Sequence, residues 1–490
     1  MGSRRQRRVS RNRAAGVPAV GARSWWLQEA LRADPGAPCP PLAAATGADV
    51  CIAGGGFAGL WTAYELTERE PGLDVVLLEA DICGAGGSGA NGGFFSTSWL
   101  QLSGLCAALG EEGGVTWAAA LAEMVDELDR WAERHAARID AHHEGIVYAR
   151  AGEWQPGPDA ETFRLLRAHG YAGRLVPVGA AEARAVADSP RFVGGVFTPD
   201  FTVLQPAKLA RELRRVLLER GVRIFEGTPV ERLEAGRPVR VVTPAGSVAA
   251  RQVVDCTGAW AARQRRFRRA FTVCVDYMVV TEPIPDRLAA LGWTSHRGLA
   301  DLREMLYYLR PTDDGRIAIG GGAMKITFDN RIGGRALTSR RTAEAAARGL
   351  LWLFPQLEGV RFEAAWSGPM DLTNTALPFF VSAPGGAVHA GLGFSGHGLT
   401  ATKLGGKVLA SLVLGADDRW SHMPTVGRRP PQPPPEPVRW PLVNSVTWAY
   451  ERGDRAHEDG REPGLLPRVV IGTYGRYSAM NSATGKGGDE

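Results

Sequence analysis

The chain has 490 residues, 44% of them apolar and 22% charged, enough to bury large cores in about two domains or one discontinuous pair. Its net charge of +5 is slight for this length, and no apolar run approaches the roughly 18 residues that cross a bilayer, so neither a nucleic-acid nor a membrane partner is expected. The six cysteines form no CxxC pair and none lies near a histidine at metal-ligand spacing, which predicts a reduced, cytoplasmic protein without a bound metal.

Residues 1–23 carry much of the positive charge, in the run MGSRRQRRVSRNR. No aromatic residue interleaves with these arginines, and no apolar segment follows them before Trp25. The segment therefore reads as a solvated, disordered tail rather than a nucleic-acid arm or an export signal.

Ala48–Ala53 is a short apolar run rich in β-formers and predicts a buried strand. It leads directly into GGGFAGLWTAYELTERE, in which Gly54, Gly56 and Gly59 stand at GxGxxG spacing. The first glycine permits a tight turn, the second lets backbone approach a pyrophosphate, and the third lets the helix pack closely on the sheet. Phe57 and Ala58 open that helix, whose N-terminus aims free N–H groups and partial positive charge at phosphates. A second strand, LDVVLLEA, ends at Glu79 and Ala80, with the acid 20 residues beyond Gly59. A carboxylate there can accept both hydroxyls of an adenosine ribose.

Strand, turn, helix, strand and acid together define a dinucleotide site, open at this point to NAD or FAD. The following DICGAGGSGANGGFF is too glycine-dense for a regular helix or a packed strand. It predicts a loop whose amides line a cofactor, with Ser88, Asn91 and Gly92 in contact. A long flavin lying across the sheet needs such a loop.

Four further segments complete a pattern. Ser24-Trp25-Trp26-Leu27 precedes the nucleotide unit. Thr228-Pro-Val-Glu-Arg-Leu233 follows a predicted helix (206–220) and strand (222–225). Val253-Val-Asp-Cys-Thr-Gly-Ala-Trp260 ends a strand, and Gly391-Leu-Gly-Phe-Ser-Gly-His-Gly398 enters a predicted helix over 401–414. In this order they resemble the D-amino-acid-oxidase-like superfamily of FAD enzymes, and within it the gamma-glutamylputrescine-oxidase-like branch. The resemblance implies an α/β fold with a discontinuous Rossmann-like FAD-binding domain (24–100, 201–264 and 371–415). An α+β substrate domain with an antiparallel sheet (101–200 and 265–370) would cover the flavin.

The same resemblance implies roles for residues. Val230 would contact the adenine through its backbone, and Thr257, Gly258 and Trp260 would close over the cofactor. Gly393, Phe394, Gly396, His397 and Gly398 would lie beside the isoalloxazine. There a glycine turn entering a helix can direct N–H groups at the negative charge of reduced flavin. His397 would stand at the flavin edge or the substrate and is a candidate catalytic residue.

The insertions are less legible. Val115–His142 shows helical spacing. In EMLYYLRPTDDGRIAIGGG, the Asp313-Asp314-Gly315 turn predicts a hairpin, with Leu306, Tyr308 and Arg310 on one face and Tyr307 and Leu309 on the other. Tyr308 is the candidate pocket wall and second catalytic residue.

Trp366-Ser-Gly-Pro-Met-Asp-Leu-Thr373 also resembles a family stretch. Relatives with flavin linked to cysteine carry it near Met370, and others use a histidine near Asn91; both are absent here, so the FAD is expected to be non-covalent. Ala90 replaces the branch's arginine. Thr400 stands where some relatives place a lysine for a substrate carboxylate, which argues for an amine or conjugated substrate over a simple amino acid.

The expected chemistry is oxidation of a C–N bond of an amine or amino-acid-like molecule by hydride transfer to flavin N5, with O2 or another acceptor. A tailoring oxidase or dehydrogenase of a bulky metabolite and a non-catalytic or electron-transfer flavoprotein subunit remain alternatives. Beyond the helix, 416–477 reads as a proline-rich strap (RRPPQPPPEPVR) and a short helix, and 478–490 as a disordered tail.

Overall fold

A computed structural model describes residues 16–484. The arginine-rich run of residues 1–13 and the last six residues lie outside the described residues, as do the expectations for them.

Two sheets organise the chain. In the first, strands run in the order 379–382, 388–392, 247–255, 45–53, 75–78 and 223–225. All neighbours from Val388–Leu392 to Arg223–Phe225 are parallel, and Phe379–Ser382 adds an antiparallel edge. The central strand Ala45–Ala53 pairs Ala53 with both Leu78 and Asp255. Its last residues Val50–Ala53 are fully enclosed, as continuous apolar runs in parallel sheets require.

The helix Phe57–Arg69 crosses from the first strand to the second and packs on Gly398–Leu414 and Pro206–Glu219. Leu60 and Leu66 are completely buried in that layer. Each contributes about 1.5–3 kcal/mol by leaving water.

The second sheet has nine strands, with a main path of 325–326, 272–281, 317–321, 307–311, 298–301, 146–150, 194–198 and 176–179. Phe362–Leu372 adds a long antiparallel pairing to Thr272–Thr281. The sheet is antiparallel except where Gly298–Asp301 runs parallel to Ile146–Arg150. The hairpin alternates as its sequence predicts: Tyr307 and Leu309 enter the core behind the sheet, while Tyr308 and Arg310 face the glycine loop.

Three boundaries differ from the sequence reading. The long helix is Glu111–Arg134, not 115–142. It begins earlier because Glu111 and Glu112 suit the positive N-terminus, and beyond it Ala136 and Asp140 both adopt φ of 47°. Residues 16–23 are not a free tail: Val17 is buried, and the Gly21 N–H donates to the Ala365 carbonyl at 2.8 Å. Two valines and an exposed strand edge were enough to dock them. The C-terminal helix Leu465–Thr484 continues through 478–484, and a second helix, Arg439–Glu458, follows the proline strap.

Candidate active site

One cavity of about 2040 Å³ lies between the two sheets. Ligand pockets commonly occupy 300–1,000 Å³, so this one has room for a dinucleotide and a second molecule.

Its floor begins at the turn after the first strand. Gly54 takes φ of 108°, and a Cβ on Gly59 would lie 2.0 Å from the Gly54 carbonyl oxygen. Gly54, Gly56, Phe57 and Ala58 line the cavity, whereas Gly59 sits behind it as a packing position. Ser88 folds back from the glycine loop, and its hydroxyl accepts from the Phe57 N–H at 2.9 Å. Glu79 and Ala80 line the same end. The Glu79 carboxylate accepts from the N–H groups of Gly55 (2.7 Å) and Asp81 (2.9 Å); burial pushes its pKa up against those bonds. Val230 also lines this end.

The glycine loop forms one wall. Asn91 donates to the Gly87 and Ser88 carbonyls and accepts from the Gly93 N–H, so its side chain braces the loop that Asn91 and Gly92 present to the cavity. Thr257, Gly258 and Trp260 also line the cavity. A Cβ on Gly86 would touch the Trp260 ring at 3.3 Å, so the indole lies over the loop.

The turn 393–398 closes the far end. Phe394, Gly396, His397 and Gly398 line the cavity, and Gly393 lies behind them. The Gly393 N–H donates to Asp371 Oδ2 at 2.6 Å, and Ser395 holds φ of 54°. Asp371 is thus the post on which the turn is hung; burial raises its pKa to about 6. His397 Nδ1 lies 3.2 Å from the Ser395 carbonyl. That bond needs the proton on Nδ1 and leaves Nε2 as an acceptor. Desolvation by the surrounding protein pushes the imidazole pKa down.

Two helices start at this cavity, at Phe57 and at Gly398, and neither N-cap, Gly56 or His397, supplies a capping side chain. Two helix N-termini facing one space, the first with its Phe57 N–H held by Ser88, form a site for an elongated, negatively charged group.

Tyr308 forms part of the cover wall. Its ring meets Phe94 edge-on, with centroids 5.5 Å apart, and its hydroxyl donates to Asp276 Oδ2 at 2.6 Å. Sequence reasoning missed Asp276, although one signal was present: it is the single charge in the apolar strand TVCVDYMVVT. It also gave Asp371 no role.

Thr400 departs from expectation. It is buried with its hydroxyl unpartnered, and it does not line the cavity. Helix geometry explains this, because Leu399 and Thr402, not Thr400, fall on the cavity side.

At the hairpin tip, His142 and His296 both approach Asp313 Oδ1, at 2.8 and 3.3 Å. Their rings are stacked at 3.6 Å, and the three ligand atoms lie within 4.8 Å of one another, away from the residues that line the cavity.

The cavity, its glycine turn and the sheet that covers it define a dinucleotide-dependent oxidoreductase. Residues 49–412 match the family model described as FAD dependent oxidoreductase (DAO), and the chain belongs to that family. It is 27% identical over 391 residues to the probable oxidoreductase OrdL of Haemophilus influenzae, covering 78% of this chain and 86% of that protein. Identity to the gamma-glutamylputrescine oxidoreductase of Escherichia coli is also 27%, over 396 residues, with 78% and 88% covered. Among solved structures, the glycine oxidase of Geobacillus kaustophilus superposes with a TM-score of 0.61 at 22% identity, covering 78% of this chain and 99% of that one.

Proposed function

We propose that the protein oxidises a C–N bond of an amine or amino-acid-like substrate, using a non-covalently bound FAD and delivering the electrons to O2. The observation that carries this reading is the pair of helix N-termini opening on one cavity beneath the Tyr308 wall. When bound, FAD supplies the two-electron acceptor for the substrate's C–H bond.

The chain's own residues do the rest. The Gly54–Gly59 turn and the helix from Phe57 hold the pyrophosphate, and Glu79 accepts from the ribose. The turn hung on Asp371 presents amides to negative charge as it develops. His397 keeps Nε2 as an acceptor in the cavity. The cover wall, with Tyr308, excludes water from one face and orients the substrate. Asn91 and Met370 line the cavity and offer no nucleophile for a covalent flavin link. The six cysteines are unpaired, in keeping with a cytoplasmic location.

The test begins with the visible spectrum of the purified protein, before and after acid precipitation. A peroxide-release screen then covers polyamines, acylated diamines, N-methyl amines and D-amino acids. Flavin in the supernatant and peroxide with at least one amine are expected. A protein that takes up no flavin overturns the reading. One whose flavin no amine or amino acid bleaches under anaerobic conditions is instead a non-catalytic or electron-transfer subunit.

A further inference from the structure

Asp276 is a cavity carboxylate with no cation beside it. Asp276 sits in the middle of Thr272–Thr281 and lines the cavity. Its Oδ2 accepts from the Tyr308 hydroxyl at 2.6 Å and its Oδ1 from the Tyr277 N–H at 2.8 Å. Neither donor is charged. Burial raises its pKa to about 6, and no Lys, Arg or His contributes to that balance.

Other acids along the cavity are satisfied in two ways: Glu79 and Asp371 accept from backbone N–H groups, and two more are paired with arginine. Asp255 is bonded to Arg266 and Gln264. Asp301 is paired with Arg303, which also grips Glu458. Asp276 differs from both, and so does Glu304, in the loop leading into the Tyr308 strand, whose pKa is raised by burial with no cation contributing.

The neighbouring wall is small and apolar. Asp276 lies opposite Gly368 in the strand pairing. A Cβ on Gly368 would lie 3.2 Å from the Ala90 Cβ. Position 90, which adjoins the strand partner of Asp276, carries only a methyl group. Phe94, Met278 and Met370 supply further apolar lining.

We propose that Asp276, oriented by Tyr308, binds the positive charge of the substrate, so that the site takes alkylammonium cations and disfavours zwitterionic amino acids. This rests on the amine-oxidising reading of the same cavity. A carboxylate removed from water without a counter-charge is costly, and an arriving ammonium removes that cost as it binds. Each carboxylate oxygen accepts one hydrogen bond and keeps a lone-pair site free. An amino acid would bring its own carboxylate to a wall that already holds an unpaired one, and like charges there repel.

The test uses two probes of one shape and opposite charge, tert-butylammonium and pivalate. Neither can be oxidised, because the carbon bearing the charged group has no hydrogen. Each is titrated into the FAD-loaded protein at about pH 8, where both are ionised, and followed by the flavin absorbance and by calorimetry. The cation is expected to bind at least about tenfold more tightly than the anion, as a desolvated charge partner implies. Asp276→Asn should erase the preference, and Tyr308→Phe should weaken cation binding while keeping its sign. The proposal is overturned if pivalate binds as well as the cation, if neither binds, or if folded, flavin-loaded Asp276→Asn keeps the preference.

The wild-type comparison stands even if the Asn variant does not fold. Anaerobic bleaching by amines and amino acids, read separately, tests the reaction. Cation preference without bleaching defeats the reaction and spares the site, while bleaching with pivalate preferred does the reverse.

Discussion

The α-carbon of Gly59 lies so close beneath the Gly54 carbonyl that a single added methyl would stand 2.0 Å from its oxygen. The helix and the strand it follows therefore meet backbone to backbone, and the helix N-terminus is set at a fixed distance from the cavity floor.

Gly59→Ala is expected to push the helix off the strand. Overpacking of this kind costs about 1–3 kcal/mol, and here it also displaces the amides that face the cofactor. The variant should purify with little flavin, read as the ratio of visible to ultraviolet absorbance, and with a lowered Tm.

Glu79→Ala removes the acceptor for the Gly55 and Asp81 N–H groups as well as the ribose contact. Two lost charge-assisted bonds at about 1.5–3 kcal/mol each predict at least a tenfold weaker FAD Kd in fluorescence titration of the apoprotein. Glu79→Gln, which keeps one acceptor oxygen, should lose less. Equal losses would show that the carboxylate charge, and not its hydrogen bonding, is what matters.

Arg310 ties the cover sheet to the glycine loop, donating to the carbonyls of Gly92 at 3.0 Å and Leu204 at 2.6 Å. Arg310→Met keeps much of the packing against Trp26 but strands both carbonyls. The expected loss is about 2–4 kcal/mol in urea unfolding, with faster proteolysis within 84–93.

Asp276 gives stability a definite pH dependence. Its pKa is raised from 3.8 to about 6 in the folded protein, so the proton is bound more tightly when folded. Its contribution is complete below about pH 4 and is lost as pH rises through about 6, to a limit of roughly 3 kcal/mol. Tyr308 donates to it, Cys274 and Tyr277 are the titratable groups beside it on its own strand, and the paired strands bring Gly368 opposite it and Lys325 opposite Val275. Urea midpoints at pH 4, 5, 6 and 7 should therefore slope less in Asp276→Asn than in wild type. Parallel slopes would assign the effect elsewhere, with Asp371, also raised to about 6, as the next group to replace.

The nucleotide unit was legible because its constraints are local. Gly54, Gly59 and Glu79 act within a few tens of residues, and each has a steric or electrostatic reason to be that residue. The hairpin at 307–321 was legible for the same reason: its turn and its alternation are short-range. Asp276 was not, because a lone acid in an apolar strand gains meaning only when Tyr308, 32 residues on, donates to it. Thr400 misled in the opposite way, since its place in the motif suggested the cavity and the helix rotation hid it. The segment 16–23 was misread because its order comes from Ala365, more than 300 residues away.

The strand order has a consequence for synthesis. The parallel neighbours of Ala45–Ala53 include one from mid-chain, and the next strand out, Val388–Leu392, comes from near its end. The opening helix is sealed by Gly398–Leu414. A ribosome must therefore release more than 400 residues before the first strand and helix acquire their full surroundings. Until then the apolar face of Phe57–Arg69 stays uncovered, which leaves the emerging chain prone to aggregation. Cofactor loading on this protein is accordingly expected to follow translation.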